Sequence, residues 1–292
     1  MALPRRIRRQ TGRHALVDGI PFELPVNSEH SPALMAGFSI DLERARELLP
    51  GNELHPVRLP NGRGVLLVTV IDYRTTDIGA YIEYSIAIGC TRGPSPVSVA
   101  RAILLMKRSG TGQFVWDLPV STLVSVKGGK GIWGMPKHQA NLDFRIDGST
   151  VTSQYDLDGA LCTKVEIGTP RLRVPVRNFG AVNWCAFRGM LMKSSIYFSD
   201  TMRVALGRGA RASFVVGDHP RMAPLRELDI RKRPFFVAWL PDSHGMLDDH
   251  FESWFLSFET APSLKPEGLE SVIDLTNDTT WLSPPRDHAV TR

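Results

Sequence analysis

The sequence predicts a β-dominated domain with a few short helices, and three observations carry that expectation. The first is the 25 glycines and 21 prolines, many of them spaced through the 292 residues, which favours short strands and turns over a helical bundle. The second is a series of short runs that are either continuously apolar or alternating, the signature of buried and half-buried strands. The third is Asp147-Gly148 between two alternating runs, a strong hairpin signal. A chain of this length allows two domains or one large β-rich one. No repeat and no dividing linker is visible, so we expect one domain over residues 20–292, built as a barrel or a pair of packed sheets, with an extension from about residue 246.

In chain order, residues 1–19 carry Arg5, Arg6, Arg8, Arg9 and Arg13 with few apolar partners and read as a basic, solvated arm. Asp41 to Leu49 reads as an amphipathic helix, with Leu42, Ala45, Leu48 and Leu49 at helical spacing, Asp41 as N-cap and Pro50-Gly51 as stop. Val65 to Asp72 is an apolar run and reads as a buried strand. Tyr81 to Ile88 alternates, with Tyr81, Glu83, Ser85 and Ala87 on one face. Phe114 to Val126 reads as two strand segments broken at Leu118-Pro119. The predicted hairpin pairs Asn141–Ile146 with Val151–Leu157, and Asp158-Gly159 leads into a strand over Leu161–Ile167. Ser194–Phe198, Arg211–Val216 and Phe235–Leu240 are further strand candidates, and Met222–Leu228 a short helix.

Composition excludes several classes. At 42% hydrophobic and 22% charged residues the chain is an ordinary globular protein. Most of the net charge of +5 comes from the arginine arm, and no basic-aromatic interleaving appears in the body, so no nucleic-acid partner is expected. No run approaches the length of a membrane span and no secretory signal is read. Cys90, Cys162 and Cys185 are odd in number and far apart, which speaks against disulfides or a zinc ribbon and for a reducing compartment, the cytoplasm. The eight histidines are scattered singly, so the sequence supports neither a metal nor any other cofactor. Gly129-Lys130-Gly131-Ile132-Trp133-Gly134 matches G-x-G-x-x-G formally, but Pro136 follows and no βαβ unit surrounds it, so it is not a dinucleotide site.

The segment that points to chemistry is Val124 to Phe144. Lys137 follows a proline and lies beside Ile132, Trp133 and Met135. An ordinary lysine keeps only about one amine in 2,000 unprotonated at neutral pH. Apolar surroundings strip the ammonium of hydration and favour the free amine, a competent nucleophile towards carbonyls. The competing reading is a surface lysine whose stem covers Trp133 while its head stays in water.

The Gly129-to-Pro136-Lys137 spacing resembles the signature of the acetoacetate decarboxylase family, in which the lysine after the proline forms the Schiff base. Gly79, Tyr81 and Glu83 look like that family's Gly-x-Tyr-x-Glu strand, Ala45 to Gly51 like its helix end, and Asp218-His219 with Ala223-Pro224-Leu225 like its C-terminal motif. These matches fall in order over roughly residues 33 to 245. The resemblance implies a cone-like antiparallel β-barrel with a buried cavity, a Schiff-base lyase in which Lys137 attacks a keto acid or related carbonyl compound, Glu83 as its proton-transfer partner, no added cofactor, and a homo-oligomer. Tyr81, Trp133, Met135 and His138 are the candidate substrate contacts. Decarboxylation is one expected reaction, and aldol or dehydratase chemistry on the same iminium another. A non-catalytic binder of small molecules is the third reading. Departures from the family are His138 where it has a second lysine, the absence of its substrate-carboxylate arginine at about Ser31, and the absence of a further acidic group at about Val68. An alternating strand would also turn His138 away from Lys137. Trp116, Trp133, Trp184 and Phe187 are candidates for the lining of an apolar cavity, against the usual reading of single aromatics as core, and His219 reads as a turn residue.

Overall fold

The computed structural model describes residues 12–104 and 110–258. The chain opens with a hairpin, β1 (Arg13–Val17) and β2 (Ile20–Leu24), followed by the long β3 (Val26–Ile40). Helix α1 (Leu42–Glu47) and β4 (Leu54–Pro56) lead into β5 (Gly64–Tyr73), β6 (Thr75–Thr76) and β7 (Tyr81–Arg92). Then come α2 (Val99–Leu104), β8 (Gly112–Val120), α3 (Leu123–Trp133) and β9 (Lys137–Gln139). A run of smaller strands follows: β10 (Asn141–Leu142), β11 (Arg145–Asp147), β12 (Thr150–Leu157) and β13 (Ala160–Gly168). The second half holds β14 (Leu172–Phe187), β15 (Met190–Leu206), β16 (Ala212–Val216), α4 (Ala223–Arg226), β17 (Phe236–Leu247) and β18 (Glu252–Phe255).

Seven strands close into a barrel in the order β7-β5-β3-β17-β15-β14-β8, with β8 returning to β7. The β8–β14 contact is parallel and the other ring contacts are antiparallel. A second sheet, β10-β12-β13-β16, stands apart. Strand alternation divides the side chains between two environments. Leu34, Ala36, Phe38 and Ile40 of β3, Leu66, Val68 and Val70 of β5, and Tyr84, Ile86 and Ile88 of β7 form one core with Val151, Tyr155, Val165 and Ile167 of the second sheet. The intervening residues face the barrel lumen, where Ala33, Met35, Ile71, Ala238 and Leu240 cluster.

The predicted elements are largely present. Asp41 caps α1 by accepting from the Arg44 backbone N–H at 2.9 Å. The hairpin at Gly148 forms, and Asp158-Gly159, both at positive φ, joins β12 to β13 in the two-residue turn that Asp-Gly favours. Two expectations are corrected. Val124 to Val126 is not a strand: β8 runs unbroken through Leu118-Pro119, and residues 123–133 are helix. The β-branched Val-Ser-Val run reads as strand locally, but packing of α3 on the β1–β2 hairpin overrides that preference. Nor are residues 13–19 part of an arm. They make β1 and its turn, with Val17 and Phe22 buried against Ile132, Trp133 and Met135. Arg5, Arg6, Arg8 and Arg9 lie outside the described residues, as does the tail beyond residue 258.

Helix α3 holds three glycines, at a cost of roughly 1 kcal/mol each relative to alanine. Their neighbours explain them. A Cβ on Gly128 would sit 2.8 Å from the Phe22 ring, and one on Gly131 would sit 2.6 Å from Val17. On Gly129 it would meet the Lys137 side chain at 2.4 Å. The helix ends at Gly134, whose φ of 63° is left-handed and whose N–H returns to the Lys130 carbonyl at 3.1 Å. The glycine-rich run therefore packs closely on the β1–β2 hairpin and leaves a slot for one lysine.

Candidate active site

Lys137 is the first residue of β9, which pairs in parallel with β8 through Leu118. On the other side of β8, Val120 pairs with Glu83 of β7. The two ionisable residues thus reach each other across β8, although they lie 54 positions apart. The Lys137 Nζ is 2.6 Å from Glu83 Oε2 and donates to Ser125 Oγ of α3 at 2.9 Å. It also lies 5.4 Å from the centre of the Tyr81 ring, within cation–π range. Lys137 is only 5% exposed, so the surface-lysine reading does not hold. Its apolar neighbours are joined by the Glu83 carboxylate that the resemblance implies and by the Ser125 hydroxyl, which the sequence did not suggest.

The pair opens onto a cavity of about 140 Å³ in the barrel lumen. Its apolar wall includes Met35, Ile71, Val115, Leu118 and Leu240. Its polar wall includes Ser31, Thr69, Ser85, Gln113, Asn183 and Ser243. Gln113 Nε2 donates to Asn183 Oδ1 at 2.9 Å, which leaves the Asn183 amide N–H groups for other acceptors. Among the described lining residues, Lys137 and Glu83 alone are charged. Ser31, where the resemblance places an arginine, does line the cavity, so that cation is missing from the wall itself. Val68 faces the outer core instead, and Thr69 takes the lumen side.

The surrounding titratable groups are held neutral. Tyr73 and Tyr81 pair across β5 and β7 with rings stacked at 4.6 Å. Burial, reinforced by the Glu83 charge, pushes both phenols well above their usual range, so they act as hydrogen-bonding groups and not as phenolates. The Tyr81 ring, between Lys137 and the Tyr73 ring, continues the site from the lysine along the barrel wall. Burial pushes the nearby Cys185 thiol up to about 12, against the opposing pull of Lys137, so the thiol does not compete as a nucleophile at neutral pH.

Of the six residues singled out from the sequence, the fold brings four together: Lys137, Glu83, Tyr81 and Met135 all line the cavity. Trp133 does not. It is core, and its Nε1 donates to the Asp248 carbonyl at 3.1 Å, because it lies on the helix face that packs against the β1–β2 hairpin. His138 does not either. Alternation along β9 turns it outward, where its Nε2 is 2.9 Å from the Tyr155 hydroxyl. Trp184 is likewise core, and neither Trp116 nor Phe187 lines the cavity. His219 caps a turn by accepting from the Arg221 N–H at 3.2 Å. Sequence reading missed Ser125, Tyr73, Gln113 and Asn183. Tyr73 was within reach, since pairing the two predicted strands sets it opposite Tyr81.

A closed barrel with a buried lysine–carboxylate pair at the wall of an internal cavity defines the class of this protein. The chain belongs to the acetoacetate decarboxylase family, whose model matches residues 5–180. No curated protein matches it by sequence. Solved structures share the fold at low identity. An acetoacetate decarboxylase aligns with 87% of this chain and 98% of its own at TM-score 0.60 and 12% identity. The acetoacetate decarboxylase of Legionella pneumophila aligns over 85% and 90% at TM-score 0.58 and 13% identity. The enduracididine biosynthesis enzyme MppR, with HEPES bound, aligns over 79% and 88% at TM-score 0.56 and 12% identity. Further structures of MppR hold pyruvate and the condensation product of pyruvate with imidazole 4-carboxaldehyde.

Proposed function

We propose that the protein is a Schiff-base lyase in which Lys137 condenses with a small keto acid or related carbonyl compound. The observation that carries this reading is the 2.6 Å contact between a buried lysine and a carboxylate at the wall of a cavity. Glu83 takes the ammonium proton, and the free amine adds to the carbonyl carbon. Glu83 then returns the proton to the carbinolamine oxygen, which leaves as water, and the iminium remains. With a β-keto acid, the electron pair of the bond to the carboxylate moves into the iminium, CO₂ departs and an enamine forms. Protonation of that enamine at carbon and hydrolysis release the ketone and restore Lys137. A substrate carboxylate that meets Val115, Leu118 and Leu240 loses hydration that neutral CO₂ does not need, so an apolar wall favours its departure. The lysine supplies the electron sink, and the mechanism calls on no other cofactor.

A second reading is favoured by the cavity wall. With no cationic side chain other than Lys137 among its described lining residues, the site offers a substrate carboxylate no ion pair, while the Gln113–Asn183 amides and Ser31 and Ser243 offer hydrogen bonds to neutral oxygens. A hydroxylated carbonyl compound would suit that wall, and the same iminium would then support retro-aldol cleavage or dehydration. The third possibility, binding without catalysis, requires that Lys137 form no covalent adduct.

Incubation with a panel of keto acids and aldehydes, followed by borohydride and mass analysis, tests the proposal. We expect an adduct on Lys137 that is absent from Lys137→Ala. A CO₂-release assay then separates decarboxylation from the aldol and dehydration routes. Tight ligand binding with no adduct for any carbonyl compound would overturn the lyase reading in favour of binding alone. The three buried, unpaired cysteines support a cytoplasmic location. Exposed Leu172 and Leu206, at the ends of adjoining strands, support a homo-oligomer, which light scattering tests.

A further inference from the structure

On the outer surface of the barrel, three chain segments break their pairing at the same place. Between β17 and β3 the register shifts between Leu240 and Ser243 and again between Ser243 and Gly245. Pro241-Asp242 is the longer side of the first irregularity, opposite Pro32, and Glu29-His30 is the longer side of the second, opposite His244. The prolines have no N–H to give the ladder, which accounts for the break at their level. Beside it, β15 loses register with β17 between Ser199 and Arg203. His30 sits at φ 50°, a conformation rare for a residue with a side chain.

The consequence is a convergence of side chains. Bulges re-aim the residues they carry, and here His30, Asp242 and His244 meet outside the barrel while Ser31 and Ser243, between them in sequence, line the cavity inside. The His30 Nδ1 is 2.9 Å from Asp242 Oδ1, and the His244 Nε2 is 3.8 Å from Asp242 Oδ2. One ligand atom from each of the three residues lies within 4.8 Å of the other two. Asp200 Oδ2 accepts from the Asp242 backbone N–H at 3.2 Å and so braces the bulge that presents the carboxylate.

We propose that His30, Asp242 and His244 form a binding site for a divalent first-row transition cation, Zn²⁺ foremost, that clamps β3 to β17 where their ladder is interrupted. Two imidazoles and one carboxylate suit zinc, cobalt, nickel or copper and do not suit calcium or magnesium, which take oxygen ligands. Ligand bonds of about 2.0–2.2 Å put neighbouring ligand atoms roughly 3–3.5 Å apart. The present spacings need only small side-chain rotations to reach that range, and all three side chains are exposed, so the cation has an open path and room for water as a further ligand. On binding, the imidazole that faces Asp242 gives up any proton it shares with the carboxylate and offers its nitrogen lone pair to the metal. The site lies outside the cavity wall and is separate from the Lys137 chemistry.

The test uses the full-length untagged protein. Titration with Co²⁺, followed by its visible absorption, and with Zn²⁺ by competition should show one saturable equivalent. Either His30→Ala or His244→Ala should weaken binding by at least about tenfold, and Asp242→Asn, which keeps the side chain's shape, should do the same. Zn²⁺ at about 100-fold above Kd should raise the Tm of the wild type by several degrees and leave that of the His30→Ala, His244→Ala double variant unmoved. The proposal is overturned if no saturable equivalent appears, if the double variant binds as tightly as the wild type, or if bound Zn²⁺ leaves the wild-type Tm unchanged. Circular dichroism establishes that each variant is folded, and Asp242→Asn covers the case in which a histidine variant is not.

Discussion

Lys137 and His138 are neighbours in the chain and belong to different worlds. One faces the lumen, where its amine meets Glu83 and Ser125 beside a cavity. The other faces the second sheet, where it lies between the Tyr155 hydroxyl at 2.9 Å and Asp117 Oδ1 at 3.6 Å. Asp117 is fully buried and accepts from Arg221 Nε and Nη2 at 2.9 and 2.7 Å. Both clusters are buried and ionic. They differ in that the first borders empty space a substrate can enter, while no residue of the second lines that cavity. A buried charge pair is weak evidence of catalysis by itself. The adjoining cavity is what makes the first of the two the candidate reaction site.

Substitutions on the two sides of β9 should separate accordingly. The largest effect is expected for Glu83→Gln, which keeps the shape and removes the proton acceptor. Turnover should fall by about 10²–10⁴-fold while the thermal midpoint changes little. A small change in turnover would assign proton transfer to another group. Next comes Gly129→Ala, whose added carbon would sit 2.4 Å from the Lys137 side chain. Displacement of the amine by about 1 Å should slow adduct formation by about 10²-fold. Gly128→Ala, which meets the Phe22 ring instead, should lower stability and slow adduct formation less than Gly129→Ala does. Borohydride trapping rates for the two variants check this.

On the outward side the effects should be on stability alone. Asp117→Ala leaves Arg221 and His138 without their shared carboxylate, and denaturant unfolding should register a loss of about 2–4 kcal/mol, moderated because Arg221 is partly exposed. Trapping at Lys137 in the folded fraction should be unaltered. The smallest effect concerns His138. Burial depresses its pKa, more than the Asp117 charge raises it. The unfolded chain therefore binds a proton more readily, and this residue's contribution is complete above the ordinary histidine value of about 6.5 and lost as pH falls through the lowered native value. His138→Gln should flatten the decline of Tm between neutral and mildly acidic pH. An unchanged slope would show that His138 is not the group responsible.

Much of the inward side was legible in the sequence. Alternation placed Tyr81, Glu83 and Ser85 on one face, and the Pro136-Lys137 pair stood out against its apolar neighbours; the resemblance linked the two segments. The intervening helix was not legible, because Val124-Ser125-Val126 has strand character and three glycines argue against a helix. The reasons for two of those glycines lie in Phe22 and Val17, more than a hundred residues earlier, and the reason for the third lies in Lys137. That misreading concealed Ser125, which reaches the lysine only because its segment is helical. Gln113 and Asn183 gave no signal, since their meeting depends on the parallel contact of β8 with β14. The His30, Asp242 and His244 cluster was equally hidden, as about 210 residues separate its halves and bulges set its geometry.

The glycine notches of α3 make the β1–β2 hairpin a removable keystone for the candidate site. Val17 and Phe22 fill two of those notches and hold in place a helix that its own sequence supports poorly. A protease cut between Leu24 and Val26 would leave the barrel strands whole and yet release the plug against which α3 is set. Ser125 and the slot for Lys137 would loosen with it, so the proposed reaction would depend on an early hairpin that contributes no residue to the cavity wall.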